Sequence, residues 1–425
     1  MRPKRLQANE LIPVSAPIAL KLRHSFTPRA KVKNRLGWLL CLMLAASPAW
    51  AAKKLTVAQL KDLLSGLQAA QKTDVDMAAA LQDVELTEQL TSPAMDSLAK
   101  QYSGPNTAQQ LIVLEIRSAA LAPPASEIPS APAPDAAAQK AILDKAFDYA
   151  GKTYAQLPAV SGTKTVRRFQ DNPPMNRGRM FAHDLPAPAF TQIRYVSVDD
   201  YAVTIQNGAE ANPLLNVKKS WGSNGVVVPL GQQPILNKVL EEAQGSGRIA
   251  FVRWESIDSH QTAVFSFAVD KKKSHYAVNY CCFPEDDAPG ASAGQGLNMR
   301  GGTGAAVGGF TPTTAAVQAQ DIYPEFSNWK AVKATVPYHG EFAVDPNSGV
   351  VVRLTTVAEF KSGWVRQENQ RIDYAQEKVG DKSLVVPVRS IIDTAEQPFG
   401  NTETNDPSVR HTLFTAAYKD YKPSN

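Results

Sequence analysis

Val336-Pro337-Tyr338-His339-Gly340-Glu341-Phe342-Ala343-Val344, then Asp345-Pro346-Asn347-Ser348-Gly349, then Val350-Val351-Val352-Arg353-Leu354, is the stretch whose reading decides the fold. Pro presets φ, Asn tolerates the left-handed region and Gly supplies positive φ, so the residues from Asp345 to Gly349 predict a turn between two β-rich runs. Outward from this hairpin, three or four antiparallel strands are legible between about Ala331 and Ile392, including Trp364–Tyr374 and Ser383–Ile391. Pro387 inside a Val-rich run predicts an edge strand or a bulge. A last strand or helix is expected near Leu413–Tyr421.

Upstream, strands are expected at Thr163–Gln170, Ile193–Val198, Tyr201–Gln206 and Gly225–Leu230. A helix begins at Pro234, carries Ile235, Val239, Leu240 and Ala243 as its stripe, and stops at Gly245. Arg248–Glu255, Ala263–Val269 and Tyr276–Cys282 then read as a meander. Its aromatics fall on both parities, which predicts cover over much of both faces. Asp135 caps a helix with Leu143, Phe147, Ala150, Tyr154 and Leu157 at intervals of three and four, and that helix needs an apolar partner.

Before it, Pro123–Pro134 reads PPASEIPSAPAP, an extended linker. From Leu55 to about Leu121 the pattern is helical. One helix follows Thr56, a second follows Asp74, a third opens at Ser92-Pro93, and Asn106 and Thr107 cap a fourth. The expected organisation is a leader over 1–51, a small helical domain over 52–122, a linker over 123–135 and an antiparallel β domain over 136–425. A Gly-rich loop at 284–328 interrupts the last. The fold class is α+β: a curved antiparallel sheet or incomplete β-barrel with covering helices, preceded by a small all-α unit.

The leader has a basic start, an apolar run from Leu36 to Ala46, and Ala49-Trp50-Ala51 as an A-x-A site, which predicts cleavage near Ala51 and a periplasmic or secreted protein. The apolar run is too short to span a bilayer, and no later run is longer, so no transmembrane segment is expected. No small residue precedes Cys41 as a lipid-anchor signal requires. The leader holds nine of the 45 Lys and Arg and one of the 40 Asp and Glu, so the remaining chain is slightly acidic. The basic isoelectric point belongs to the leader, and nucleic acid is not an expected partner. Cys281 and Cys282 are the only cysteines after it, which excludes a disulfide framework.

Catalytic and metal motifs are missing: there is no HExxH, paired CxxC, GxSxG, Walker lysine or EF-hand loop. The glycines from Gly301 to Gly309 lack the Lys-Ser/Thr of a phosphate loop. Cys281 and Cys282 adjoin on a strand and are expected to point to opposite faces, which favours a structural role over a redox one. His183, His260, His275 and His339 share no close spacing for a metal or acid-base cluster. Arg353, Glu341 and Arg371 are expected to pair across a solvated sheet face. The remaining candidate is the aromatic content of the sheet, Phe251, Trp254, Phe265, Phe267, Tyr276 and Tyr280, which reads either as core packing alone or as the lining of a concave apolar groove, the best functional reading left. No cofactor and no metal is expected.

Gly340–Leu354 (GEFAVDPNSGVVVRL), followed by Ile372-Asp373-Tyr374 and Leu384–Ser390 (LVVPVRS), resembles the periplasmic lipoprotein-carrier superfamily of LolA, LolB and RseB. The chain is also similar to secreted proteins of Acidobacteria. The resemblance covers roughly Asp135 onward and implies an incomplete antiparallel barrel with helices over its hollow, binding acyl chains or a lipidated partner. The helical region and the Gly-rich segment depart from that family, and no functional residue of the carriers maps onto a position here. Three readings follow: a non-catalytic binder of acyl chains or a lipidated protein; an envelope protein–protein interaction or scaffold module working through its helical domain; and a hydrolase of unrecognised type, which needs His, Asp or Glu converging in one cleft.

Overall fold

In the computed structural model the described residues are 53–171, 193–211, 228–229, 235–284, 329–360, 365–396 and 410–424. The leader with its cleavage site, His183 and most of the Gly-rich segment lie outside them. Strand β1 (Lys53–Leu55) leads into helix α1 (Val57–Ala69), closed at its start by a capping box of Thr56 and Gln59. Thr73 and Asp76 repeat the device at α2 (Asp74–Leu81). Then β2 (Val84–Leu86) pairs in parallel with β1, and α3 (Ser92–Gln101) and α4 (Pro105–Ser118) follow. The unit is therefore not purely helical, because a three-residue strand is too short to declare itself by alternation. Asp74 reaches across to α4, where it accepts hydrogen bonds from the backbone N–H groups of Asn106 and Thr107. Those two residues are capped rather than caps, since Pro105 already starts the helix. Leu60, Leu64, Leu81, Leu98 and Leu111 form the core of this region.

The Pro/Ala segment is tied down: Trp254 Nε1 donates to the Pro132 carbonyl at 2.8 Å, and Thr91 Oγ1 to the Glu127 carboxylate at 2.8 Å. Helix α5 (Ala136–Asp148) begins at Asp135, whose carboxylate accepts from the Ala138 N–H. After it come β3 (Val160–Gln170), β4 (Arg194–Gln206), β5 (Ala209–Glu210) and β6 (Val228–Pro229). The two strands expected over 193–206 are thus one. Helix α6 (Leu236–Ser246) ends on Gly247 at φ +68°, two residues past the expected stop, because Gly245 keeps helical geometry.

The remaining strands are β7 (Ile249–Ile257), β8 (His260–Val269), β9 (Ala277–Pro284), β10 (Trp329–Thr335), β11 (Tyr338–Val344), β12 (Val351–Ala358), β13 (Val365–Val379), β14 (Lys382–Glu396) and β15 (Arg410–Pro423). Ten of the fifteen described strands make one antiparallel sheet in the order β5-β4-β3-β15-β14-β13-β12-β11-β8-β7, which is not closed; β10-β9-β6 form a second, small sheet. The meander is therefore broken at β9. Its place beside β8 goes to β11, where Tyr338, Phe342 and Val344 stand opposite Val269, Phe265 and Ala263, a matched apolar row. Pro387 marks a bulge, with a register shift opposite Asp373 and Tyr374, inside the sheet rather than at its edge.

The first face of the sheet carries the main core. Tyr338, Phe342, Val344 and Leu354 pack with Leu236, Val239 and Ala243 of α6 and Ile142 and Ala146 of α5. Each such buried side chain is worth about 1.5–3 kcal/mol. The hairpin turn holds α5 in place. Lys145 Nζ donates to the carbonyls of Pro346 and Asn347 at 3.1 and 3.2 Å, and Gly349, at φ +78°, lies so close to the helix that a Cβ would stand 2.5 Å from the Lys145 carbonyl oxygen. At Gly340 a Cβ would stand 1.9 Å from the Thr355 carbonyl oxygen, backbone that cannot yield.

The second face is covered by α4. Val113, Ile116 and Ala119 pack on Phe169, Ile391 and Leu413, and Glu115 pairs with Arg389 at 2.6 Å. The helical region is thus docked rather than loosely tethered, and Trp50–Asn425 cluster as one unit. Beneath this interface Asp393 is buried, with Oδ1 lacking a hydrogen-bond partner and Oδ2 3.3 Å from Gln367 Nε2. Burial raises its pKa to about 6, against the opposing charge of Arg117. Burial and Arg117 lower the neighbouring His411 to about 4.

Gly340→Ala is expected to cost about 3 kcal/mol or more in urea unfolding, because the clash is with backbone. Asp393 and His411 act in opposite directions with pH. The raised carboxyl pKa contributes stability below about pH 4 that is lost as pH rises through 6. The lowered imidazole pKa contributes stability above about pH 6.5 that is lost as pH falls through 4. Asp393→Asn is therefore expected to be more stable than wild type at pH 7.5, by up to about 3 kcal/mol, with the gain vanishing by pH 4 and a steeper acid loss than wild type, as read by urea midpoints across that range.

Candidate functional site

Five of the six aromatic residues singled out from the sequence, Phe251, Trp254, Phe265, Phe267 and Tyr276, come together on the first face. A bulge between Phe251 and Arg253 resets the alternation of β7, so that Phe251 and Trp254 share one face and their rings lie 5.4 Å apart. Phe265 stacks on Phe342 at 5.7 Å, Phe267 meets Tyr338 edge-on at 5.8 Å, and Tyr276 meets Tyr338 at 5.3 Å. Phe265, Phe267 and Tyr276 are at most 3% exposed and belong to the same core as α6. Their surface is occupied by protein. The Tyr280 side chain, like those of Cys281 and Cys282, lies outside the described residues.

The opposite face is where charge gathers. Strand register puts Glu341, Arg353, Thr355, Arg371, Asp373 and Arg389 on one side, with Phe342, Leu354 and Ile372 on the other. Arg253 grips Glu341 with two hydrogen bonds of 2.9 and 2.6 Å and turns its Nε to Glu255 at 2.7 Å. Glu255 also accepts from Arg353 Nη2 at 2.5 Å. Beyond them Arg371 pairs with Asp373 at 2.9 Å, and Arg389 pairs with Glu115 of α4. The solvated face expected for Arg353, Glu341 and Arg371 is in fact largely buried: Glu255 is 4% exposed, Arg353 7% and Arg371 8%. The helical region, not water, covers much of it.

Between the end of α4 and this face lies a cavity of about 280 Å³. Its polar wall is made by Gln89, Arg253, His339, Glu341, Arg353 and Thr355, and its apolar wall by Ala119, Ala120, Leu121 and Val357. Arg353 is the distinctive group. One of its five N–H bonds is taken by Glu255, and among the described residues its Nε and remaining Nη donors meet no protein acceptor. Burial lowers its pKa and Arg371 adds to this, while Glu255 and Asp373 oppose, so the guanidinium stays charged. His339 stands half-exposed at the cavity, paired with Glu359 at 2.9 Å.

No group of three or more His, Cys, Asp or Glu fit to hold a metal occurs among the described residues. The nearest approach to a catalytic pair is elsewhere: His275 Nδ1 lies 2.7 Å from Glu242 Oε1, and Tyr338 donates to the other Glu242 oxygen at 2.7 Å. His275 Nε2 is buried and meets no partner, and this trio sits at α6, away from the charged face. His260 is exposed. No helix among the described residues is long and apolar enough to cross a membrane. Comparison with protein-family models, with curated proteins and with solved structures returns no match.

Glu255→Gln weakens the acceptor shared by two buried guanidinia and is expected to cost about 3 kcal/mol. Glu359→Gln, exposed beside His339, is expected to leave the urea midpoint within error of wild type.

Proposed function

We propose that this chain is an exported, non-catalytic binding protein that takes a small polar ligand in the cavity between the turn after α4 and strands β7, β8, β11 and β12. The observation that carries this reading is Arg353, a buried cation whose unused donors face open volume beside a protein-made wall. None of the Arg353 nitrogens is sealed from the cavity, so the donors that Glu255 leaves unused are free to serve water or a ligand there, and a charged acceptor is the stronger partner. Export is supported by the basic leader, the Leu36–Ala46 run and the Ala49-Trp50-Ala51 site, and periplasm and exterior are equally compatible with it.

The acyl-chain reading has less support. The resemblance to lipoprotein carriers favours a hollow beneath the helices, but Phe265, Phe267 and Tyr276 are packed against α6 and neighbouring rings there. The interaction-module reading needs an exposed apolar patch on the helical region, where the only large exposed apolar residues described are Val75 and Leu121.

Native mass spectrometry of the protein recovered from the periplasm, wild type beside Val357→Phe, tests the proposal. Val357 lines the cavity without being buried in the core, so a phenyl ring there fills the volume and spares the fold. A low-mass species carried by wild type and lost from the variant is the expected result. A co-purifying lipid that survives the substitution would return the site to the first face.

A further inference from the structure

We infer that the cavity is built for a small monocarboxylate with a compact apolar or aromatic body. This rests on the reading above that the cavity is the binding site, and adds the chemistry of what enters it. Arg353 presents its open donors as part of a planar fork, which a two-oxygen planar acceptor matches best.

The charge tally around it decides how much negative charge can enter. Arg253, Arg353 and Arg371 stand against Glu255, Glu341 and Asp373, so the cluster is balanced before any ligand arrives. Every negative charge brought in is therefore an excess charge: one is offset by the charge-assisted hydrogen bonds of the fork, whereas a second, as on a phosphate monoester, adds no further fork contact and faces the Glu341 carboxylate, one-third exposed on the cavity wall. A neutral amide would leave the guanidinium donating to a weaker acceptor and present an N–H to a donor.

Size and lining decide the rest. About 280 Å³ lies just below the range of ~300–1,000 Å³ typical of ligand pockets, room for one small molecule and not for a diacyl chain. Ala119, Ala120, Leu121 and Val357 line the volume with methyl groups and short alkyl chains, suited to an apolar body beyond the carboxylate. Thr355 and Gln89 supply polar edges without adding charge.

The test is isothermal titration calorimetry of the full exported chain with three probes of one shape: benzoate, benzamide and phenyl phosphate. Benzoate is expected to bind at least about tenfold more tightly than either of the others. Arg353→Lys, which keeps the charge and loses the fork, is expected to weaken benzoate by about tenfold or more and to leave benzamide unchanged. Because the comparison among probes uses wild-type protein, it stands even where Arg353→Lys fails to fold. Benzamide or phenyl phosphate binding as well as benzoate, with Val357→Phe abolishing it, would overturn the carboxylate and leave the cavity as the site. Binding of none of the three, or binding that Val357→Phe does not alter, would overturn the cavity reading together with the inference.

Discussion

The carboxylate of Glu255, held between the guanidinia of Arg253 and Arg353 in the near absence of solvent, is the constraint on which the second face of the sheet depends. Two cations and a shared anion removed from water are expensive unless every lone pair and proton is met, and removing one member strands the others. The geometry of β7 follows from this. Its bulge turns Arg253 and Glu255 to the charged side while Phe251 and Trp254 stay in the core. The same trio positions Arg353 with donors to spare, so structural necessity and binding capacity come from one arrangement. Networks of this kind fix orientation more than they add stability, and here they fix which side chains face the end of α4.

The two faces divide the work. The first is a conventional apolar core under α5 and α6, in which aromatic rings interlock and the hairpin turn carries the C-terminal part of α5. The second is a polar face that a separate helical region covers through a narrow apolar contact and the Glu115–Arg389 pair. Asp393 lies under that contact without a full set of partners, which makes the docking of α4 the place where protonation and packing are coupled.

What the sequence made legible was local. The turn from Asp345 to Gly349, the caps at Thr56 and Asp135 and the stripe of α6 are chemistry within a few residues, and each is found with small shifts of boundary. The α+β class and the large antiparallel sheet followed from the same signals. Partnership was not legible. Nothing in Tyr276–Cys282 tells that β9 leaves the main sheet, because strand pairing is decided by a row of side chains far along the chain. Alternation of Glu341, Arg353 and Arg371 with apolar neighbours predicts a wet face, since a period of two reports that one side is polar and is silent on whether water or another layer covers it. Arg253 is one basic residue in an aromatic strand and carries no pattern of its own, and no short motif marks a guanidinium with donors left over.

Strand β3 lies between β4 and β15, and Asp171, just past its end, accepts a hydrogen bond from the backbone of His411, 240 residues away in sequence. Every strand from β7 to β14 is synthesised between these two partners. The strands from β7 to β14 pair among themselves, mostly as consecutive hairpins, and it is Arg410–Pro423 that joins this block to β3, β4 and β5, so the two halves of the sheet are united only by a contact that closes about 240 residues of chain. Loop closure over such a distance is a late and slow step, so the joining of the two halves sets the pace at which the sheet is completed.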